Sequence, residues 1–383
     1  MQVEHLSSRT DVASLLSRLD VDDGGRKILA AKAELHLISI RDLHVGAANI
    51  LKQDALSVGA DLAVPRGTIL AQTPRVDALL IATERQLSEL ARKELAQPFG
   101  LKELAGKLKQ FAALKRPKNV QIMGVVNTNE DSFFEGSRFR GKAAVAHIEG
   151  MIEAGAEIID LGGVSSRPGS EPVPETEELE RVKPVIDAAY EHRLYERALF
   201  SIDSYAPSVV SYALEHGFGI VNDITGLENN AVAALCGEYD ATAVIMHMQG
   251  TPQTMQQAPQ YKNGLFETLS DFFEARIEKA EAFGVKKIVL DVGIGFGKSL
   301  EDNLKLIRDL EHFLCFGHPL LVGASRKSMI DKIVPSETSK RLPGTLALHM
   351  EAVRNGAQIV RVHDVEAHVQ ALKVFKAVYE REI

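Results

Sequence analysis

After Pro117 the chain repeats one pattern eight times: a short apolar run rich in β-branched residues, ending in a polar residue and followed by a helix-length segment. The runs are VQIMGVVN (120–127), AEIIDLGG (156–163), ALFSIDS (198–204), FGIVNDI (218–224), TAVIMHM (242–248), KKIVLDVG (286–293), PLLVGAS (319–325) and AQIVRVHD (357–364). Strands that are apolar on both faces and alternate with helices belong to a parallel sheet covered by helices. Eight such units close on themselves. Residues 118–383 also come close to the roughly 250 typical of a (β/α)8 TIM barrel, and are long for an open sheet of fewer strands. The expected fold class is therefore α/β.

The polar residues that end the runs are Asn127, Asp160, Asp203, Asn222 with Asp223, His247, Asp291, Ser325 with Arg326, and His363 with Asp364. A single Asp or Asn in such a place is an ordinary turn former or helix cap. Eight in succession are different, because the C-terminal ends of barrel strands converge on the one face where active sites are built. The acidic tract EPVPETEELE (171–180) reads as a solvated loop and helix start, where carboxylates complement the helix dipole.

Residues 1–117 read as a separate small α/β module. A polar helical start leads to a strand-like run ELHLISI (34–40), a helical stretch AANILKQDALSVGA (47–60) and a strand VDALLIA (76–82). In LKELAGKLKQFAALK, Leu101, Leu104, Leu108, Phe111 and Leu114 share one helical face before Pro117 breaks the pattern, which sets the expected boundary.

Composition narrows the function classes. With 44 Lys and Arg against 52 Asp and Glu the net charge is −8, the wrong sign for a general nucleic-acid binder. No apolar run approaches the roughly 18 residues of a membrane span, and the start MQVEHLSSRTDV lacks a signal-peptide core, so no membrane association and a cytoplasmic location are expected. Cys236 and Cys315 form no CxxC pair, which argues against a disulfide framework or a structural zinc.

Asp203 and Asp291 end two strands, with Asn222 between them in the chain. Carboxylates meet adjacent N–H donors bidentately and an amide can bond a ring nitrogen and an N–H together, so the set suits a flat nitrogen heterocycle such as a 2-amino-4-oxo pyrimidine. Lys327 adds a cation beside it. Arg167, Arg361 and His363, after the second and eighth strands, are expected to form an anion site for phosphate or pyrophosphate. DVGIGFGKS (291–299) fails the Walker A pattern because Val292 stands where glycine is needed, and fails the dinucleotide pattern at Lys298. It reads instead as a tight turn, with Phe296 able to cover a planar ligand. His247 has no second ligand at metal spacing and is expected to be a hydrogen-bonded strand-end histidine.

In order, IMGVVNTNEDSF, IIDLGGVSSRPGS, SIDSYAPSVVSYALEHGFGIVNDITG, MHMQGTPQTMQ, DVGIGFGKSLEDN, LVGASRKSMI, and RLPGTLA with GAQIVRVHD resemble the motifs of the dihydropteroate synthase family across residues 118–383. The resemblance implies condensation of 7,8-dihydropterin-6-ylmethyl pyrophosphate with p-aminobenzoate, giving dihydropteroate and pyrophosphate in folate synthesis. It implies pterin contacts at Asp203, Asn222, Asp291 and Lys327, with Met246 and Phe296 near the ring. Asn127 corresponds to the residue that helps hold Mg2+ with the pyrophosphate, Arg167, Arg361 and His363 to the anion site, and Ser166 and Ser328 to positions near p-aminobenzoate. A homodimer is expected. The chain departs from the family at Asn129 and Glu130, usually Thr-Pro, at Val164, usually Glu, at Val292, usually Pro, and at Ser166 and Ala324, usually Thr. Two other readings are a methyltetrahydrofolate-dependent methyltransferase, which would have no use for an anion site, and a pterin-binding paralogue without turnover. Residues 1–117 resemble the extension of a bacterial subgroup linked to flavin-dependent reduction of dihydropteroate. That implies flavin mononucleotide there, with Lys52, Gln53 and Asp54 as candidate polar contacts, whereas packing or oligomerisation is the structural alternative.

Overall fold

The apolar runs after Pro117 all become strands of one closed parallel barrel. The structure is a computed structural model that describes residues 1, 3–4, 6, 10–113, 119–128, 137–165, 169–255 and 259–379. The chain divides into two units, residues 1–115 and 116–381. Pro117 lies outside the described residues.

In the first unit, β1 (Leu35–His44), β2 (Asp61–Ala63) and β3 (Arg75–Thr83) form an antiparallel sheet in the order β1-β3-β2. The two strands and the helices at 45–57 and 101–113 follow the sequence reading. The last of these buries Leu101, Ala105, Leu108 and Ala112, with Leu104 and Phe111 packed partly against them. Leu114 lies outside the described residues. Not expected was the helix Glu84–Glu94, whose apolar stripe is hidden among charges. That helix starts on a capping box between Thr83 and Gln86, which satisfies two otherwise unpaired backbone donors.

The second unit is the barrel, in which β4 (Gln121–Asn127), β5 (Ile158–Gly162), β6 (Leu199–Asp203), β7 (Ile220–Asp223), β8 (Thr242–Met246), β9 (Lys287–Asp291), β10 (Leu320–Val322) and β11 (Ala357–Val362) run side by side, β11 closing on β4. The acidic tract does open a helix, Glu175–Glu191, with Glu175, Glu177 and Glu178 in its first turn. Side chains alternate between the helix layer and the barrel interior. The interior layer is Met123, Ile158, Ile220, Val244, Val289, Leu321 and Ile359. Two residues further along their strands stand Asp160, Asn222, Asp291 and Arg361, so the same parity that buries an apolar layer delivers the polar one above it.

Between barrel and helices, Phe273 is fully buried and meets Phe313 edge-on, with ring centroids 5.6 Å apart. Phe273→Ala should destabilise the barrel by about 3–5 kcal/mol, the usual cost of removing a buried aromatic ring. Urea unfolding followed by circular dichroism, compared with the unmodified chain, measures this.

Candidate active site

Strand register brings the site residues to one level. Asn127 on β4 pairs with Gly162 on β5, Gly162 with Asp203 on β6, and Asp203 with Asn222 on β7, while Met246 on β8 pairs with Asp291 on β9. Gly162 has no side chain, so Asn127 and Asp203 both approach the space over it: a Cβ built there would stand 3.7 Å from Asn127 Oδ1 and 3.5 Å from Asp203 Cβ.

Arg361 organises this level. Its Nε donates to Asp160 Oδ2 at 2.6 Å and its Nη2 to Asp203 Oδ2 at 2.7 Å. Asn222 Nδ2 donates to the same Asp160 oxygen at 3.2 Å. Asp160 is fully buried, and its other oxygen has no hydrogen-bond partner among the described residues. Burial pushes the Asp203 carboxyl up to about 7, against the pull of the Arg361 guanidinium and with the help of the neighbouring Asp160 charge. Arg361, expected at the anion site, lies against the carboxylates of Asp160 and Asp203. Asp160 ends a strand in the sequence reading without a role of its own. Its place two residues after the inward Ile158 is the signal that finds it. Asp223, of opposite parity to Asn222, turns away and accepts from the N–H groups of Thr225 and Leu227, an ordinary turn-forming aspartate.

The second half of the site is the turn after β9. Asp291 Oδ1 accepts from Gly293 N–H at 2.7 Å, and burial raises its carboxyl above the ordinary range. Gly293, Gly295 and Gly297 all have positive φ, and a Cβ on Gly293 would stand 2.0 Å from the His247 carbonyl oxygen. Glycine is therefore required there both by conformation and by space. Lys298, 1% exposed, reaches back under the turn, donating to His247 Nδ1 at 3.0 Å, to the His247 carbonyl at 3.1 Å and to the Phe296 carbonyl at 3.0 Å. Three acceptors suit an ammonium group. Burial lowers Lys298 to about 7 and, with the Lys298 charge, lowers His247 to about 2, which keeps the imidazole neutral. His247 is a hydrogen-bonded strand-end residue, as expected. The sequence reading gave Lys298 no role, since its partner lies 51 positions away.

Phe296 is half-buried, with Lys327 Nζ 4.1 Å from its ring centre. Lys327 also donates to the Ile294 carbonyl, and burial lowers it to about 8 while Asp291 pulls it back up. Ser328, beside it, is exposed and starts the helix Ser328–Ile333. Across from them His363 Nδ1 lies 2.9 Å from Ser325 Oγ. Met246 is 3% exposed at the end of β8. Ser166, Arg167, Asn129 and Glu130 lie outside the described residues. Among the described residues no group of three or more His, Cys, Asp or Glu side chains is arranged to hold a metal ion. In the first unit, Asp54 accepts from Lys93 at 3.3 Å and Gln97 at 3.4 Å and so is engaged in helix packing. Lys52 is half-buried and Gln53 exposed.

The strand ends thus carry carboxylate and amide groups on β6, β7 and β9, with an aromatic ring and buried cations on the turns beside them. A family model described as pterin binding enzyme matches residues 123–363. The chain is 44% identical over 346 residues, 90% of its length and 91% of the relative's, to the bifunctional dihydropteroate synthase/dihydropteroate reductase of Helicobacter pylori, a match longer than the barrel unit. Among solved structures it is similar to the dihydropteroate synthase of Clostridium difficile in the presence of pteroic acid, with 40% identity and a TM-score of 0.64 over 70% of this chain and 100% of that one. It is also similar to the Xanthomonas albilineans dihydropteroate synthase with 4-aminobenzoic acid, with 36% identity and a TM-score of 0.63 over 69% of this chain and 95% of that one. No described helix is long and apolar enough to cross a membrane. The barrel, the pocket at its mouth and these likenesses together make the chain a member of the dihydropteroate synthase family of pterin-binding enzymes.

Proposed function

We propose that the chain joins 7,8-dihydropterin-6-ylmethyl pyrophosphate to p-aminobenzoate, releasing pyrophosphate. The observation that carries this reading is the acid, amide, acid set of Asp203, Asn222 and Asp291 at the barrel mouth, beside the Phe296 ring and Lys327. The carboxylates accept the pterin's N–H donors, Asn222 supplies a two-way amide, Lys327 bonds a ring nitrogen or carbonyl, and Met246 and Phe296 hold the ring. Arg167, Arg361 and His363 bind the diphosphate, and Ser166 and Ser328 flank p-aminobenzoate.

The chemistry follows from charge. The methylene C–O bond breaks with its electron pair leaving on pyrophosphate, the aniline nitrogen's lone pair forms the new C–N bond, and that nitrogen then gives up a proton to solvent. Positive charge on the pterin methylene is favoured by the nearby carboxylates of Asp203 and Asp291, and the leaving group by the cations. A neutral aniline needs no strong base. Asn127 offers one amide oxygen at the strand end, which fits Mg2+, an ion that takes most of its ligands from phosphate oxygens and water. Asn127 would help hold the ion, which would supply positive charge to the leaving diphosphate. A chelator-sensitive homodimer is the form in which we expect the activity.

For the first unit we propose flavin-dependent reduction of the dihydropteroate product. The reading is supported by the two-activity name of a relative aligned over more than the barrel.

Purified protein supplied with both substrates should release pyrophosphate, and excess chelator should abolish turnover. Undiminished release in chelator would remove the metal from the mechanism. Asp291→Ala should weaken pterin binding by about 5- to 150-fold, since a buried N–H left without its acceptor costs about 1–3 kcal/mol. Calorimetry checks this. Full-length protein titrated with flavin mononucleotide should quench the flavin fluorescence and, with the flavin reduced, convert dihydropteroate to its tetrahydro form. A chain that does neither is a synthase alone.

A further inference from the structure

The turn after β10 holds Arg326 at φ 55°, a left-handed conformation unfavourable for a residue with a side chain. Such a turn persists only where its surroundings impose it. Here the helix Leu342–Arg354 imposes it from behind. Thr345 Oγ accepts the Arg326 N–H at 2.9 Å, and His349, one helical turn on, accepts the Ala324 N–H on Nε2 at 2.9 Å. Arg341, at the start of the same helix, donates to the Arg326 carbonyl at 3.2 Å.

His349 does not end the chain of bonds. Its Nδ1 lies 2.9 Å from His368 Nε2, and His368 Nδ1 lies 2.6 Å from the Asp364 carbonyl oxygen. Both histidines are fully buried. A backbone N–H can only donate and a carbonyl can only accept, so one proton arrangement satisfies every atom. His349 must carry its proton on Nδ1 and give it to His368, which must carry its own on Nδ1 and give it to Asp364. The Asp364 carboxylate in turn takes both Nε and Nη2 of Arg326, at 3.0 and 2.5 Å. The turn after β10, which carries Ser325 and Lys327, is thereby tied to the turn after β11, which carries His363, in addition to the direct contact of Ser325 with His363.

We infer that His349 and His368 are positioning residues, a one-way hydrogen-bonded pair of neutral imidazoles that fixes the Lys327 turn against the Arg361 and His363 strand end. Neither touches the pocket, and the inference rests on the synthase reading for its catalytic consequence only. The surroundings favour neutrality: burial lowers His349 well below the ordinary histidine range, and the facing Lys327, His363 and His368 add to this. Burial also lowers His368, with Asp364 pulling the other way. Protonation of His349 at Nε2 would remove the acceptor of the Ala324 N–H and break the tie.

Two measurements on the full chain test this. Long-range proton–nitrogen correlation spectra of 15N-histidine protein should show both residues as neutral Nδ1–H tautomers at neutral pH. Either residue as the Nε2–H form or as imidazolium overturns the inference, whatever the protein's activity. His349→Leu should raise KM for the pterin pyrophosphate at least about tenfold with a smaller change in kcat. His349→Gln, whose amide supplies one acceptor and one donor, should recover most of that loss. A folded Leu variant with unchanged KM, or a Gln variant no better than Leu, also overturns it. Absence of turnover in the unmodified chain would defeat the synthase reading and leave the spectra to decide the relay.

Discussion

The mouth of the barrel concentrates charge where water is scarce, and the structure depends on how that charge is balanced. Arg361 bridges Asp160 and Asp203, and Lys327 and Lys298 bring opposite charge to Asp291. Removing one member of such a set is costly, because it leaves its partner charged and unsolvated. The same balance makes the pocket responsive. With Asp203 near 7 and Lys327 near 8, neither proton is held far from neutrality.

Around this charged level the scaffold is arranged to be stiff. The glycine turn after β9 is locked from below by Lys298 and from the side by Asn303, whose Oδ1 accepts the Gly295 N–H at 2.6 Å. The turn after β10 is held in a strained shape by Thr345, Arg341 and His349. Groups fixed beforehand need no reorganisation when a ligand arrives, so that cost is not a part of the barrier. Two of the groups doing the fixing, Lys298 and His349, are buried titratable residues whose charged forms burial disfavours.

Much of this was legible in the chain, for local reasons. Apolar runs spaced by helix lengths dictate a parallel barrel, and the two-residue period of a strand carries Ile158 to Asp160, Ile220 to Asn222 and Val289 to Asp291. The same period separates Asn222 from Asp223, which the structure assigns to the pocket and to a turn respectively. The tight turn of Gly293, Gly295 and Gly297 and the strand-end place of His247 were legible for the same reason: each rests on the conformation or neighbourhood of a few consecutive residues.

What only the tertiary structure decided is which of those residues meet. Arg361 and Asp160 lie 201 positions apart, Arg361 and Asp203 158, and their bonds exist only because β11 closes on β4 and brings the last strand beside the first. Lys298 under His247, and His349 between Ala324 and His368, are likewise products of closure. A lysine in a glycine turn or a histidine within a helix has no periodic signature to set it apart from a solvated one. The sequence by itself determined the barrel, its parity and the chemical inventory at its mouth, because those are written in local periods. The pairing of buried charges and the direction of each hydrogen bond were decided by three-dimensional proximity, which no local period encodes.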